Sequence, residues 1–272
     1  MNEIVEQLIG REVASGALGA LTAKLLELPQ APCSVRHIFG DGVYMRELTA
    51  KAGTLIVGRK QKLAHDCILA RGALTFWNPD GSRTRMDAPA EFRAEPGRKV
   101  AWVNEDLTFV NVYDTHLQDV DALEALIFED PAPSLPFELL PPDGDYEALL
   151  AEQGITDEKV RIASERDDLV RLPNGAYKFK VGRSRIEGRG VIATADIPRG
   201  EIIGPGTEGA CRTVLGRFTN HAKDCNAMFV YLNGQAWLVA CRSIAGSLGG
   251  YDGEEITVDY RCTPRARWES LS

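Results

Sequence analysis

Three short segments in the last third of the chain carry residue types able to hold and orient a ligand. Gly188-Arg189-Gly190 lies within RSRIEGRGVIATADIPRGEII, residues 183–203. Two glycines there leave the backbone bare, so main-chain groups can approach a bound molecule closely. Asn220-His221 lies within RFTNHAKDCNAMFVYLNGQAWLVACRSI, residues 217–244, and the Asn220 amide both donates and accepts hydrogen bonds. Tyr260 ends GEEITVDY, residues 253–260. Each segment alone is ordinary: a glycine turn, a histidine satisfied within the fold, a tyrosine ending a core strand. Their order, with a hairpin sequence in the middle one, is what sets them apart.

Positioning such groups takes short strands and tight turns, and the surrounding sequence supplies them. Tyr177–Val181, Gly190–Ala193 and Glu201–Ile203 read as strands, NAMFVYLNGQAWLVAC as a hairpin turning at Asn233-Gly234, and Glu255–Tyr260 as a last strand. Further upstream, residues 2–28 place apolar side chains at helical spacing, with Gly16 and Gly19 able to split the run and Pro29 and Pro32 able to end it. From about residue 34 to 115 the texture is short β-rich runs separated by glycine and proline turns. Residues 117–175 read as helix, proline-rich linker and helix, with Asp145 capping YEALLAEQG and Gly154 stopping it.

Together the three C-terminal segments resemble the SET domain of protein lysine methyltransferases, over about a third of the chain. The resemblance implies a domain of short β-sheets with a knot-like crossing, S-adenosylmethionine as cofactor, and a protein substrate bearing the target lysine. Arg189 and Gly190 would line the cofactor, and Asn220 and His221 would contact it where the chain threads the crossing. Tyr260 would be the catalytic residue, its hydroxyl directed at the methyl group and the lysine amine. Methyl transfer from a sulfonium is an in-line displacement, so positioning in a shaped polar pocket matters more than a strong acid or base. The lysine must arrive neutral, and desolvation beside a sulfonium favours loss of its proton.

Departures from the family qualify what carries over. The family string Asn-His-Ser-Cys-x-Pro-Asn reads Asn220-His221-Ala222-Lys223-Asp224-Cys225-Asn226. No cysteine cluster follows Tyr260, so another element, Trp268 or a partner subunit, is expected to close the lysine channel. Val258 stands where many relatives carry Phe or Tyr, which implies room for a dimethylated or trimethylated product.

The stretch GVYMRELTAKAGTLIVGRKQKLAHDCILARGALTFW, with DAPAEFRAEPGRKVAWVNEDLTFVNVY, resembles a cupin, a small double-stranded β-barrel. Where cupins place metal ligands, this chain offers Gln61, His65 and Tyr113, with His116 just beyond. One imidazole does not make a metal site, so the resemblance implies a shell without catalytic metal, used for dimerisation or binding. The expected fold is thus mainly β. Residues 1–32 form a helical segment, 33–116 a cupin-like barrel, 117–175 an acidic helical linker, 176–264 a SET domain and 265–272 a tail.

The chain of 272 residues carries a net charge of −8, and its acidic residues concentrate between 101 and 175. That belt disfavours a nucleic-acid partner, and no apolar run is long enough to span a bilayer. Six cysteines are scattered without a close pair, which argues against a structural zinc and fits free thiols in a cytoplasmic protein. A homodimer is compatible with both resemblances. The alternative function is a catalytically inactive SET-like and cupin assembly protein. Retention of Asn220, His221, Glu254 and Tyr260 favours the enzyme.

Overall fold

A computed structural model describes residues 3–16, 18–129, 139–141 and 144–262. The fold is mainly β. The chain divides into two compact units, Met1–Leu135 with Ser247–Tyr251, and Pro136–Gly246 with Asp252–Ser272.

The first unit opens with α1 (Glu3–Ser15) and α2 (Leu18–Leu26), separated at Gly16, whose φ of 72° breaks the helix. Strands then take over: β1 (Cys33–Gly40), β2 (Val43–Ala50), β3 (Leu55–Val57), β4 (His65–Trp77), β5 (Arg83–Asp87), β6 (Ala90–Ala94) and β7 (Val100–Asp114). Their hydrogen-bonded order is β5-β4-β7-β2-β1, with β3 added on β7 and β6 on β4. The long strands β4 and β7 therefore serve two sets of partners. Their first and second halves pair with different short strands, and the register shifts between Leu69 and Leu74.

Gly72 makes that shift possible. Its φ is +84°, and a Cβ there would sit 2.3 Å from the Asp106 carbonyl oxygen, so only glycine fits without displacing the neighbouring strand. The expected barrel does not close, because the strand order does not return on itself. Against these strands packs a core of Ala50, Leu69, Leu74, Val103 and Leu107. Helix α3 (Val120–Ile127) buries Val120, Leu123 and Ile127, and Asp119 caps it by accepting from the Ala122 N–H.

The second unit begins with α4 (Asp145–Gln153) and α5 (Asp157–Ser164). The cap of α4 differs from expectation: Gly144 is the N-cap, and Asp145 is already the first helical residue. Gly154 ends α4 in the left-handed conformation, as its position in the sequence suggested. Short strands come next: β8 (Gly175–Tyr177), β9 (Phe179–Arg183), β10 (Arg189–Ala193), β11 (Ile202–Pro205), β12 (Thr207–Glu208), β13 (Cys211–Arg212), β14 (Asn220–His221), β15 (Ala227–Leu232), β16 (Gln235–Ala240) and β17 (Glu255–Val258). Between β13 and β14 lies α6 (Val214–Phe218).

One small sheet runs β14-β17-β10-β9, another runs β11-β16-β15, and β12 pairs with β13. The β15–β16 hairpin turns at Asn233-Gly234, both at positive φ, the conformation that this residue pair favours in a two-residue turn. The last strand is shorter than read from sequence. It stops at Val258, and Tyr260 begins a 3₁₀ turn instead of ending the strand.

Candidate active site

Strand β17 is the hinge of the site. It pairs antiparallel with β10, Val191 opposite Ile256, and parallel with β14, Asn220 opposite Thr257 and His221 opposite Val258. All three sequence segments therefore meet in one four-stranded sheet. Val191 and Ile256 are fully buried, which anchors the sheet by apolar packing. Asn226 supports it from the side, donating to the Glu255 carbonyl at 2.8 Å and accepting from the Thr257 N–H at 2.9 Å.

At the open end of that sheet, acceptors crowd around one nitrogen. The Asn220 Nδ2 lies 2.9 Å from the Glu255 carboxylate, 2.9 Å from the Ser184 hydroxyl, 3.1 Å from the Arg189 carbonyl and 3.2 Å from the Glu187 carbonyl. An amide NH₂ has two hydrogens, so four acceptors exceed what Asn220 can serve. Ser184 in turn donates to Glu255 at 2.7 Å. Gly190 is what lets Glu255 lie here, since a Cβ at that position would be 2.3 Å from the Glu255 Oε1. The turn leading into β10 passes through Gly188 at φ +56°. The Arg189 side chain points elsewhere, its guanidinium 4.9 Å over the Phe218 ring.

His221 and Tyr260 form the second part. The His221 Nδ1 accepts from the Tyr260 backbone N–H at 3.2 Å, so the ring proton sits on Nε2 and is donated to Asp145 at 3.0 Å. The two rings lie 5.3 Å apart. Asp145 also receives the Arg261 guanidinium through two nitrogens, each at 3.0 Å. Arg261 and, after it, His221 hold the Asp145 carboxyl below the usual carboxylate range. The Tyr260 hydroxyl donates to the Thr219 carbonyl at 3.0 Å, one residue before Asn220. The backbone oxygen and the phenol thus share one small region.

Val258 lines a cavity of about 60 Å³ together with Ala227, Met228, Phe229 and Asp259, and with three thiols, Cys225, Cys241 and Cys262. The scattered cysteines of the sequence are therefore partly gathered in space. Burial, and then the neighbouring Cys225, raise the Cys241 thiol above its ordinary value. Trp268 and the tail to which it belongs lie outside the described residues.

Of the expected residues, Gly190, Asn220, His221 and Tyr260 come together, as does the backbone of Arg189, whereas the Val258 side chain lines the thiol cavity, which none of the others lines. Glu255, Ser184 and Arg261 were not singled out, and Asp145 was read only as a helix cap. Glu255 could have been, since it stands inside GEEITVDY. Asp145 and Arg261 carried no signal, because their pairing spans the unit.

In the first unit, Gln61, His65 and Tyr113 also meet. The Tyr113 hydroxyl donates to Gln61 at 2.8 Å, and its ring stacks on His65 at 4.9 Å. His116 is exposed and stands apart, against Gly42. Among the described residues no group of three His, Cys, Asp or Glu is placed to hold a metal ion. No described helix is long and apolar enough to cross a membrane.

No family model and no curated protein matches the chain. Solved structures align with part of it. The cupin_2 domain of an XRE family transcriptional regulator from Enterobacter cloacae matches 29% of this chain and 93% of its own, at 13% identity and a TM-score of 0.26. A cupin-2 domain containing protein from Shewanella frigidimarina matches 35% and 91%, at 10% identity and a TM-score of 0.26. Ectoine synthase from P. lautus matches 36% and 75%, at 12% identity and a TM-score of 0.30.

Proposed function

We propose that the second unit is a SET-type domain transferring a methyl group from S-adenosylmethionine to a lysine of a protein substrate, and that the first unit is a cupin-like module. The observation that carries the methyltransferase reading is the surplus of acceptors around Asn220 Nδ2. A carboxylate and two backbone carbonyls in one place suit an ammonium group, and the cofactor's amino-acid end carries one. The residues present therefore fit that group.

When bound, S-adenosylmethionine supplies an electrophilic methyl on a positive sulfur. The chain's own residues do the rest. Glu255, with the carbonyls of Glu187 and Arg189, would hold the ammonium, and Asn220 would keep those acceptors in register. The Thr219 carbonyl and the Tyr260 hydroxyl would orient the incoming amine, and the small side chain of Val258 would, by the resemblance, leave room for more than one methyl. The His221–Asp145–Arg261 cluster would hold Tyr260 through its backbone N–H. Strand β15 is an edge of its sheet and exposes Met228, Val230, Tyr231 and Leu232, which suits a polypeptide substrate laid alongside it.

One observation favours an inactive scaffold instead. Glu255, Ser184 and Asn220 already satisfy one another, so the site is a stable polar network without any ligand. Titration calorimetry of S-adenosylmethionine against the wild type and Asn220→Ala separates the two. Saturable one-to-one binding, lost in the variant, supports the enzyme. Absence of binding by folded wild type at millimolar cofactor moves the reading to assembly or recognition.

A further inference from the structure

None of Asn220, His221, Glu255 and Tyr260 lines the thiol cavity of the second unit. Its volume is about 60 Å³, and Cys225, Cys241 and Cys262 share it with a wall that includes Met228, Phe229 and Val258. A space of that size holds only about two waters, so the thiols face one another across a short gap. Their electrostatics agree. Burial first, then Cys225, raise the Cys241 thiol above its ordinary value, Arg199 opposes the rise, and Cys262 adds to it. Among the described residues no three such donors are placed to hold a metal ion, which leaves bond formation between two sulfurs as the chemistry this arrangement supports.

Topology selects the pair. Cys225 and Cys241 flank the open end of the β15–β16 hairpin, whose last strand pair is Ala227 with Ala240. The Cys241 N–H donates to the Asn226 carbonyl at 2.8 Å, so Cys241 lies opposite Asn226 and not opposite Cys225. The Asn226 side chain reaches β17, at the Glu255 carbonyl and the Thr257 N–H, and residues opposite one another project to the same side. Cys241 is therefore on the side turned to β17, and β17 leads into the 3₁₀ turn Tyr260–Cys262. Within that turn Tyr260 is held by His221 and Arg261 by Asp145 and Glu152. Cys262 is exposed.

We propose that Cys241 and Cys262 are a reversible redox pair that peroxide closes into a disulfide, tying the turn that carries Tyr260 to the β15–β16 hairpin. Exposed Cys262 is the thiol that peroxide reaches. Its thiolate attacks one peroxide oxygen, the O–O bond breaks, and a sulfenic acid forms while the leaving hydroxide takes a proton from solvent. The Cys241 sulfur then attacks the sulfenic sulfur, the S–O bond breaks, and the hydroxide leaves with the Cys241 proton as a second water. Two electrons pass from the two sulfurs to one peroxide, and a dithiol reductant returns them. Burial makes Cys241 a poor first target, which suits the resolving role. The pair does not depend on methyl transfer.

The experiment treats reduced full-length protein, at low micromolar concentration, with one equivalent of hydrogen peroxide, then alkylates and maps it. Chymotrypsin cuts after aromatic residues and leucine, which places Cys225, Cys241 and Cys262 in three different peptides. One intramolecular Cys241–Cys262 bond should appear, free thiols should fall from six to four, and dithiothreitol should reverse both. The bonded protein should gain about 5 °C or more in Tm. Cys241→Ser or Cys262→Ser should abolish the bond, and Cys225→Ser should keep it. The proposal fails if peroxide leaves the thiols unpaired, if Cys225 forms the bond, if Cys262 pairs only between molecules, or if the bonded protein gains no Tm. Should a serine variant not fold, the wild-type map decides alone.

Discussion

The His221 Nε2 donates to the Asp145 carboxylate at 3.0 Å, across 76 residues of sequence. Because the opposite ring nitrogen accepts from the Tyr260 backbone, a carboxylate on helix α4 orients the turn that carries the proposed catalytic hydroxyl. Arg261 completes the arrangement from the far side of the same carboxylate.

This relationship gives a pH signature. The Asp145 carboxyl is held below its ordinary value in the folded state. Its contribution is present above the unfolded carboxylate pKa of about 3.9 and is lost as pH falls through the lower folded value. Asp145→Asn should therefore lower Tm at neutral pH, and the gap to the wild type should shrink as pH is taken from about 5 to below about 3. A gap independent of pH would show that Asp145 acts only through shape.

Tyr260→Phe separates the hydroxyl from the ring. Packing against His221 remains, and the loss of one hydrogen bond to the Thr219 carbonyl should cost about 1 kcal/mol or less of stability. On the proposed function, single-turnover methyl transfer should fall by roughly 10²–10³. Unchanged transfer in this variant would remove Tyr260 from the chemistry.

Two glycines make a paired test of packing. Gly72→Ala meets a backbone oxygen at positive φ, whereas Gly190→Ala meets the end of the Glu255 side chain. Denaturant unfolding should show Gly72→Ala destabilised by about 2 kcal/mol or more. Gly190→Ala should cost less, because Glu255 can swing aside, and on the proposed function it should abolish S-adenosylmethionine binding by displacing that carboxylate. Equal stability losses would contradict the assignment.

The thiols should react in order of access. Cys262 is exposed, while Cys67 is buried and its thiol is pushed up to about 12 by that burial. Alkylation at about pH 8 followed by mass spectrometry should label Cys262 first and Cys67 only on unfolding.

Much of the local structure was legible because it depends on neighbours in sequence. Asn233-Gly234 dictates its own turn, Gly16 its helix break and Gly154 its helix stop, since each needs a backbone conformation that its residue type supplies. The gathering of Gly190, Asn220 and Tyr260 is what the resemblance of three ordered segments to a SET domain implied. What stayed hidden depends on register and distance. Asp145 read as a helix cap, and nothing in YEALLAEQG reports that its carboxylate serves a histidine far downstream. Nor does any spacing reveal that Cys225, Cys241 and Cys262 share one cavity, because that cavity exists only once the strands are paired. The open sheet was missed for a similar reason: alternating β-runs look alike whether or not their edges meet.

The two sets of short strands in the first unit share β4 and β7, and that sharing has a mechanical meaning. Neither set owns the longest strands, so neither can be peeled away while the other stays intact. Amide exchange across β1–β7 should accordingly collapse to one global opening free energy instead of two. Under load or evolutionary drift, a defect near Gly72 is then a defect of the whole unit at once.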